Sequence, residues 1–179
     1  SGQTGHAVAH GCQMLGATVE LVTTEQDVSV GTTHIVESST EMHATVRERV
    51  SESDALISAA AISDYTVDKS PEKLRSGHPR SLSLKRTPKV IGSVRDSHPD
   101  LPIVGFKTET TRDRDSLIKA ARAIQSRYDL QFAVANSASV MGESETEAYI
   151  VTETEVTTLS GSKTRFGLTV ASELATALS

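Results

Sequence analysis

Tryptophan is absent from this chain of 179 residues, and the aromatic residues together make up only 3% of it. The core must therefore be built mainly from Val, Ile, Leu and Ala. Apolar residues of all kinds reach 37%, which is enough for a folded domain of this length. We expect a single domain over residues 1–179.

A second shortage concerns cysteine, since Cys12 is the only one and no intrachain disulfide can form. This fits the reducing cytoplasm. No apolar run approaches the roughly 20 residues of a membrane-spanning helix, and no signal peptide is present. The net charge of -5 argues against nucleic-acid binding. The six histidines show no metal-ligand spacing. These absences predict a cytoplasmic protein that binds neither nucleic acid nor membrane.

Segments rich in β-formers alternate with helical patterns along most of the chain. The predicted strands are 17–23, 33–37, 55–61, 81–85, 102–107, 130–135, 147–152 and 155–159. The predicted helices are 6–15, 40–50, 88–96, 112–127 and 167–178. This alternation predicts an α/β fold with a mainly parallel sheet and helices on both faces, plus a small antiparallel hairpin formed by the last two strands. Strands 33–37 and 55–61 flank a helix and should form a parallel pair.

The chain opens with a glycine turn, Ser1-Gly2-Gln3-Thr4-Gly5, which leads directly into the first helix. Turns of this kind normally follow a β-strand, and they present free N–H groups to phosphate. No strand precedes the turn in this chain, so we expect the domain to lack its first strand. A plain tight turn is the alternative interpretation of these glycines.

Residues 54–75 combine a buried strand with a charged loop. The strand ends in small side chains, Ser58 to Ala61, and Asp64 follows. Ligands in open α/β sheets bind at such strand ends. Asp64 could serve a turn or hold Mg²⁺, a base or a ribose.

A cluster of cations begins in the same loop: Lys73, Arg75, Arg80, Lys85, Arg86 and Lys89. Long aperiodic loops are usually functional or mobile. The cluster is either a solvated basic face or a flap that closes over a phosphate-bearing ligand. Two further strands end in polar residues, one running from Phe106 into Glu109 and one into Asn136. The carboxyl ends of these strands should converge on one crevice.

Five motifs carry a family resemblance by their order and spacing. They are SGxxG, AAAISDY followed by PEKLR, LKRTPKVI, VGFKTET and FAVAN, and together they cover nearly the whole chain. In these motifs the chain resembles the phosphopantothenate–cysteine ligase (phosphopantothenoylcysteine synthetase) family. The resemblance implies a Rossmann-like fold, a homodimer, and a parent protein that also carries a flavin-dependent phosphopantothenoylcysteine decarboxylase domain.

The resemblance also implies a reaction. Members of the family join 4′-phosphopantothenate to L-cysteine in coenzyme A biosynthesis, and CTP with Mg²⁺ is expected here rather than ATP. The pantothenate carboxylate attacks the α-phosphate, which gives an acyl-cytidylate and pyrophosphate. The amine of cysteine then displaces CMP. Cations and a metal ion are needed to stabilise the charge on phosphorus.

By position in the motifs, the resemblance implies that Lys73 is catalytic and stabilises charge on the acyl-cytidylate. The implied nucleotide-binding residues are Ser58, Ala59, Ala60, Asp64, Lys73, Pro88, Lys89, Val90, Ile91, Phe106, Arg122 and Arg127. The implied phosphate- and substrate-binding residues are Gly2, Gly5, Arg75 and Asn136. No metal ligand is assigned. Ser76 stands where the family has a lysine, with Arg80 as a compensating cation, and the family's Asn upstream of the glycine turn is absent. Residues 73–80 would form a lid over the ligand, and this lid should be poorly ordered without ligand.

Two other functions remain open on sequence grounds. One is a nicotinamide-dependent oxidoreductase, against which stand an incomplete GxGxxG motif, no Tyr-x-x-x-Lys pair and no acid after the second strand suited to a ribose. The other is a non-catalytic, degenerate ligase module.

Overall fold

The computed structural model describes residues 2–67, 81–111, 113–137 and 145–179, without the side chains of Glu145 and Thr146. The helices are α1 (Gln3–Met14), α2 (Ser39–Arg49), α3 (Val90–Ser97), α4 (Arg114–Tyr128) and α5 (Lys163–Ala177). The strands are β1 (Glu20–Thr23), β2 (Thr32–Ile35), β3 (Leu56–Ser58), β4 (Tyr65–Thr66), β5 (Lys85–Arg86), β6 (Ile103–Glu109), β7 (Phe132–Ser137), β8 (Glu145–Val151) and β9 (Val156–Ser162). The predicted α/β class is confirmed.

The main sheet has five strands in the order β3-β6-β7-β8-β9. β3, β6 and β7 run parallel, whereas β8 pairs antiparallel with both β7 and β9. The expectation of a mainly parallel sheet was therefore wrong, because the C-terminal hairpin extends the main sheet and makes it mixed. Only residues 138–144 separate β7 from β8, which is short of the dozen or so residues that a parallel crossover requires.

A second correction concerns the pairing of β2. It lies parallel to β1 in a two-stranded sheet, with Glu20 opposite Thr32, whereas β3 pairs with β6. The parallel pair predicted across α2 is not formed. β3 carries apolar side chains on both faces, with Leu56 and Ile57 packed against different core clusters. Such a strand is suited to the neighbourhood of the buried strand β6.

Two hydrophobic clusters cover the faces of the main sheet. The first joins the sheet to α3 and α4 through residues such as Val94 and Leu117. The second joins it to α1 and α5 through Val8, Phe166 and Val170. Helices therefore lie on both faces, as the alternation of elements predicts. Among the described residues, no helix combines the length and apolar character needed to span a bilayer.

Several helices begin at residues other than those predicted. α1 starts at Gln3, so Gly5 already belongs to the helix and only Gly2 forms the turn. Ser38 caps α2 by accepting from the N–H of Glu41, and the Glu41 carboxylate accepts from the N–H of Glu37 at 2.9 Å. This reciprocal pattern resembles a capping box, and it starts α2 at Ser39, one residue before the predicted start.

The starts of α3 and α4 also shift. α3 begins at Val90 after Lys89 as N-cap, so Pro88 precedes the cap and is not the first helical residue. α4 begins at Arg114 instead of residue 112, and it is capped by Asp113, whose carboxylate accepts from the N–H of Ser116 at 2.9 Å.

Two glycines allow α1 and α5 to pack at close range. A Cβ at Gly11 would lie 2.5 Å from the carbonyl oxygen of Gly167, and a Cβ at Gly167 would lie 2.0 Å from that of Ala7. Both distances are shorter than any real Cβ contact, so neither position tolerates a side chain without separation of the helices. This contact holds α1, and with it the glycine turn, against the rest of the domain.

We predict that Gly167→Ala destabilises the protein by about 1–3 kcal/mol, as overpacking of a core usually does. The sign is diagnostic, because the same substitution in an unobstructed helix would stabilise it by up to about 1 kcal/mol. Urea unfolding followed by circular dichroism measures the change. Ser172→Ala on the exposed side of α5 is the control and should leave the free energy of unfolding unchanged. A Gly167→Ala protein as stable as the wild type would contradict the close contact.

Candidate functional site

The carboxyl ends of three parallel strands define one edge of the main sheet. The register places Ser58 of β3 beside Gly105, and Glu109 of β6 beside Ser137 of β7. Side chains that follow these strands therefore meet at the same edge. It is the convergence that the polar strand ends predict.

The start of α1 lies against this edge. Gly2 has a φ of 52°, in the left-handed region, and no side chain caps the helix. A Cβ at Gly2 would lie 2.9 Å from Cγ of Glu25, which follows β1, and a Cβ at Gly5 would lie 3.7 Å from that of Ala59, which follows β3. Small residues thus bring uncapped N–H groups of the first helical turn to the strand ends, an arrangement suited to an anion.

Charged side chains occupy the part of the edge nearest α3. Lys89 at the start of α3 forms an ion pair with Asp64, and the backbone N–H of Thr87 donates to the carbonyl of Asp64 at 3.0 Å. The hydrogen bond and the charge of Lys89, with a further contribution from the charge of Lys107, lower the pKa of Asp64 below its usual value. Asp64 is therefore a carboxylate at neutral pH, and it is already paired with a lysine.

Phe106 and Asn136 lie on the other side of the edge, toward α1 and α5. The ring of Phe106 meets that of Phe166 edge-on, with centroids 6.3 Å apart. The hydroxyl of Thr108 donates to Oδ1 of Asn136 at 2.8 Å, and Asn136 is buried. This bond fixes the amide so that its NH₂ group is the end available for other contacts.

Val90 and Ile91 contribute to the core through their side chains. Val90 is buried, and Ile91 packs against the cluster beneath α3. The backbone of the segment beginning at Pro88 is therefore the part that can face a ligand.

The two arginines predicted on α4 are not brought to this edge. Arg122 donates to the carbonyl of Glu153 at 3.2 Å, in the turn between β8 and β9. Arg127 lies over the ring of Tyr128 at 5.2 Å, near the end of α4. It does line a cavity of about 450 Å³ with Lys89, between α3 and α4. The geometry therefore gives Arg122 no support as a nucleotide ligand, and it links Arg127 to the site only through that cavity.

A second cavity, of about 470 Å³, opens beside the start of α1. Its lining includes Gln3, His6, Glu25 and Asp27. Sequence reasoning found no acid suited to a ribose after the second strand. The structure instead places two carboxylates after β1, next to the glycine turn.

The comparisons with known proteins agree with the motifs. Residues 1–178 match the family model described as the DNA/pantothenate metabolism flavoprotein C-terminal domain. The chain belongs to this family.

Two archaeal relatives of this DNA/pantothenate metabolism flavoprotein domain are named coenzyme A biosynthesis bifunctional protein CoaBC. The protein of Methanocaldococcus jannaschii is 37% identical over 168 residues, which is 91% of this chain and 41% of the relative. That of Thermococcus kodakarensis is 35% identical over 156 residues, or 84% and 39%. The chain thus spans about two fifths of the length of these relatives.

Solved structures share the fold of the domain. A Streptococcus pneumoniae DNA/pantothenate metabolism flavoprotein has a TM-score of 0.83 at 18% identity, covering 97% of this chain and 87% of its own. The C-terminal domain of a CoaBC protein has a TM-score of 0.79 at 22% identity, covering 99% and 83%.

Two of the predicted site residues, Lys73 and Arg75, lie outside the described residues, as does the predicted lid 73–80. Sequence reasoning gave no binding role to three side chains at the edge, Lys107, Thr108 and Glu109, although it named Glu109 as a polar strand end. They stand inside the VGFKTET motif that marks the flavoprotein domain. The end of the β6 pattern, where apolar residues give way to charge, was the signal that could have revealed them.

We predict that Lys89→Met raises the pKa of Asp64, because the hydrogen bond and most of the nearby positive charge are lost. Since the folded-state pKa is depressed, stabilisation from the pair is present at neutral pH and is lost as the pH falls through that pKa. NMR titration of the Asp64 carboxyl carbon measures the change. Lys119→Met, on the exposed side of α4, is the control, and an unchanged titration in Lys89→Met would contradict the pairing.

Proposed function

We propose that this chain is a phosphopantothenate–cysteine ligase, which joins 4′-phosphopantothenate to L-cysteine at the expense of a nucleoside triphosphate. The observation that carries the proposal is the meeting of four motif segments at one sheet edge: residues 59–64, 88–91, 106–109 and 136. Membership of the flavoprotein domain family and the names of the CoaBC relatives support it. A solved neighbour, at 18% identity, is named as a complex with phosphopantothenate-cysteine.

We propose CTP as the nucleotide. The carboxylate of phosphopantothenate forms a bond to the α-phosphorus while the bond to the leaving pyrophosphate breaks. The amine of cysteine then attacks the acyl carbon, CMP leaves, and the amine gives up a proton. Both steps build negative charge on phosphate oxygens, so cations and N–H donors that already face the site lower the barrier.

The described residues supply several of these groups. The N–H groups near Gly2 and Gly5 suit a phosphate, and Lys89 is a cation at the start of α3. Ser58, Ala59 and Ala60 leave room for the base to approach the backbone. Lys73 and Arg75 are proposed to complete the site, with Lys73 stabilising charge on the acyl-cytidylate.

The remaining proposed contacts differ in what they offer a nucleotide. Pro88, Val90 and Ile91 would contact the nucleotide through their backbone atoms. Phe106 would contact it through its aromatic ring, which packs against Phe166. Asn136 would donate its amide NH₂ to the phosphopantothenate portion. Arg122 and Arg127 are the weakest members of the proposal, because both lie away from the strand ends.

Mg²⁺ would reach the site bound to the nucleotide. No group of three or more His, Cys, Asp or Glu able to hold a metal occurs within the described residues. Magnesium in such sites is usually held by one or two carboxylates and the phosphates themselves. Asp64 is the carboxylate that we propose for this contact. When bound, the ion neutralises charge on the phosphates.

The activity is tested by pyrophosphate release from the full-length protein supplied with phosphopantothenate, cysteine and either CTP or ATP. We expect sustained release that requires both substrates and is faster with CTP, whereas phosphopantothenate without cysteine should give at most one equivalent of pyrophosphate per site, because the acyl-cytidylate then cannot turn over. Lys73→Gln should lower the rate by about 10²-fold or more, the effect of removing one electrostatic stabiliser. Lys119→Gln is the control.

Absence of pyrophosphate release with every nucleotide, together with binding of NADH, would contradict the ligase proposal. Full activity in Lys73→Gln would contradict only the role given to this lysine.

We also propose a homodimer, formed through the ribbon of β4 and β5. Three large apolar side chains, one in β4 and two just before β5, are more than half exposed: Tyr65 (53%), Leu82 (63%) and Leu84 (62%). Large apolar side chains exposed in the same region often mark an interface. A second copy of the same ribbon is the natural partner, since a two-fold contact pairs each patch with itself.

Replacement of Leu82 and Leu84 by Ser should convert the dimer to a monomer, because the interface loses its apolar area. Sedimentation velocity measures the change. Met14→Ser is the matched control, since Met14 is equally exposed (60%) but lies on α1. A doubly substituted protein that stays dimeric, or a monomeric wild type, would contradict the proposal.

The domain organisation is proposed from the two open strand edges. β1 and β3 each keep one side unpaired within the described ladders. The start of α1 touches the residues that follow both strands, through Gly2 and Gly5. We propose that a parallel strand leading into Gly2 fits between them, and that the parent protein also carries a flavin-dependent decarboxylase domain.

We also propose a cytoplasmic location for the enzyme. The free thiol of Cys12 fits this location.

A further inference from the structure

Lys107 stands where the central strand leaves the core. Ile103 and Val104 of β6 are fully buried, and Gly105 faces Leu130 and Ile124. Because side chains alternate along a strand, Lys107 and Glu109 lie on the same face as Gly105, toward α3 and α4. A lysine at this position is held by the sheet itself, since its backbone is paired with Ala135 of β7.

The side chain of Lys107 is held in a defined position. Its Nζ lies 2.7 Å from Oε1 of Glu109 and donates to the carbonyl of Thr108 at 3.1 Å. The side chain is about one-third exposed (34%), so the ammonium group is reachable from solvent while its stem is packed.

The charge of Lys107 is felt at the centre of the candidate site. It contributes to the lowered pKa of Asp64, whose main partner is Lys89. Two lysines, one at the end of β6 and one at the start of α3, therefore act on one carboxylate. Each lysine is itself balanced by a carboxylate, Lys89 by Asp64 and Lys107 by Glu109.

We propose that Lys107 is a further phosphate-binding residue of the nucleotide site, and that Glu109 is the positioning residue that holds its ammonium group ready. This inference rests on the proposed function, since it names a contact for the nucleotide of that reaction. The ligand chemistry is a polyphosphate: two ammonium groups at one sheet edge, each paired with its own carboxylate, suit a chain of several phosphates better than a single phosphate.

Binding is an exchange of partners. Lys107 moves from the Glu109 carboxylate to a phosphate oxygen, and Lys89 does the same from Asp64. No covalent bond changes. Because each ion pair with a phosphate replaces one with a carboxylate, the net binding free energy depends on the number of phosphates that reach both lysines. The affinity should rise from CMP to CTP and fall with added salt.

The test is calorimetric binding of CTP and CMP to the full-length protein and its variants. Lys107→Gln should weaken CTP binding by roughly ten- to a hundredfold, the loss expected for one charge-assisted hydrogen bond, and should leave CMP binding nearly unchanged. Lys107→Arg should retain most of the CTP affinity because it keeps the charge. Lys119→Gln is the surface-charge control.

Glu109 has its own readout. Glu109→Gln removes the competing carboxylate, so CTP binding should become tighter or less dependent on salt, whereas a merely structural role would weaken CMP and CTP equally. Thermal unfolding of each variant shows that it is folded, and Lys107→Arg keeps the test valid if Lys107→Gln unfolds, since loss of CTP binding in a folded arginine variant would also overturn the proposal.

The two proposals fail differently. A wild-type protein that binds neither CTP nor ATP overturns the ligase function itself. A wild-type protein that binds CTP, with Lys107→Gln binding it equally well, overturns only the role of Lys107. Equal losses for CTP and CMP in Lys107→Gln would likewise overturn the polyphosphate contact.

Discussion

Strand β6 is the element on which both the core and the site depend. Its first residues, Ile103 and Val104, are fully buried on opposite faces of the sheet and join the two hydrophobic clusters. Gly105 follows, where a Cβ would lie 2.6 Å from Cδ1 of Leu130. Its last residues are charged or polar. One continuous strand thus fixes the position of the site by the same ladder that organises the core, and a shift of register by one residue would exchange its faces.

The arrangement of charge at the edge follows from this placement. The chain is acidic overall, with a net charge of -5, so an anionic ligand meets repulsion from most of the surface. Ammonium groups near the strand ends offset this repulsion locally. Each is paired with a carboxylate, and such exposed pairs contribute little to stability. In the proposed site their role is in binding, since a weak pair is readily exchanged for a phosphate.

Sequence reasoning predicted the features that depend on local pattern. Alternating apolar segments gave the α/β class, the helices on both faces and the converging strand ends. It failed for strand pairing, which depends on residues distant in the sequence. β2 pairs with β1 because of its tertiary neighbours, and nothing in its own residues specifies that choice. The mixed sheet could have been predicted, because the interval 136–146 between the predicted strands is shorter than the dozen or more residues of a parallel crossover.

The candidate site was predicted only in part, for a related reason. Glycines and other small residues stand out in the sequence because they allow close backbone approach. Gly5 and Ala59 could therefore be assigned to the same sheet edge from the predicted topology. The roles of charged side chains are harder to predict, because the sequence pattern around a lysine in a strand is the same whether the lysine faces solvent or a ligand. Arg122 has a suitable charge, yet it bonds the turn after β8. Lys107 was inconspicuous in sequence, yet its position on β6 brings its charge to bear on Asp64.

The positive charge of the proposed site comes from two sources: lysines on regular elements of the fold and cations of the motif segment 71–75. Lys89 and Lys107 are positioned by α3 and β6, and each is paired with a carboxylate, Asp64 and Glu109. Two further cations of the motifs, Lys73 and Arg75, belong to a segment rich in polar residues and poor in apolar ones. In the proposed reaction these two sets of cations would act in sequence: exchange at the edge positions the phosphates, and the additional positive charge then favours the state in which negative charge is greatest. Stabilisation that is realised only in that state accelerates the reaction, whereas uniform attraction of the nucleotide would not.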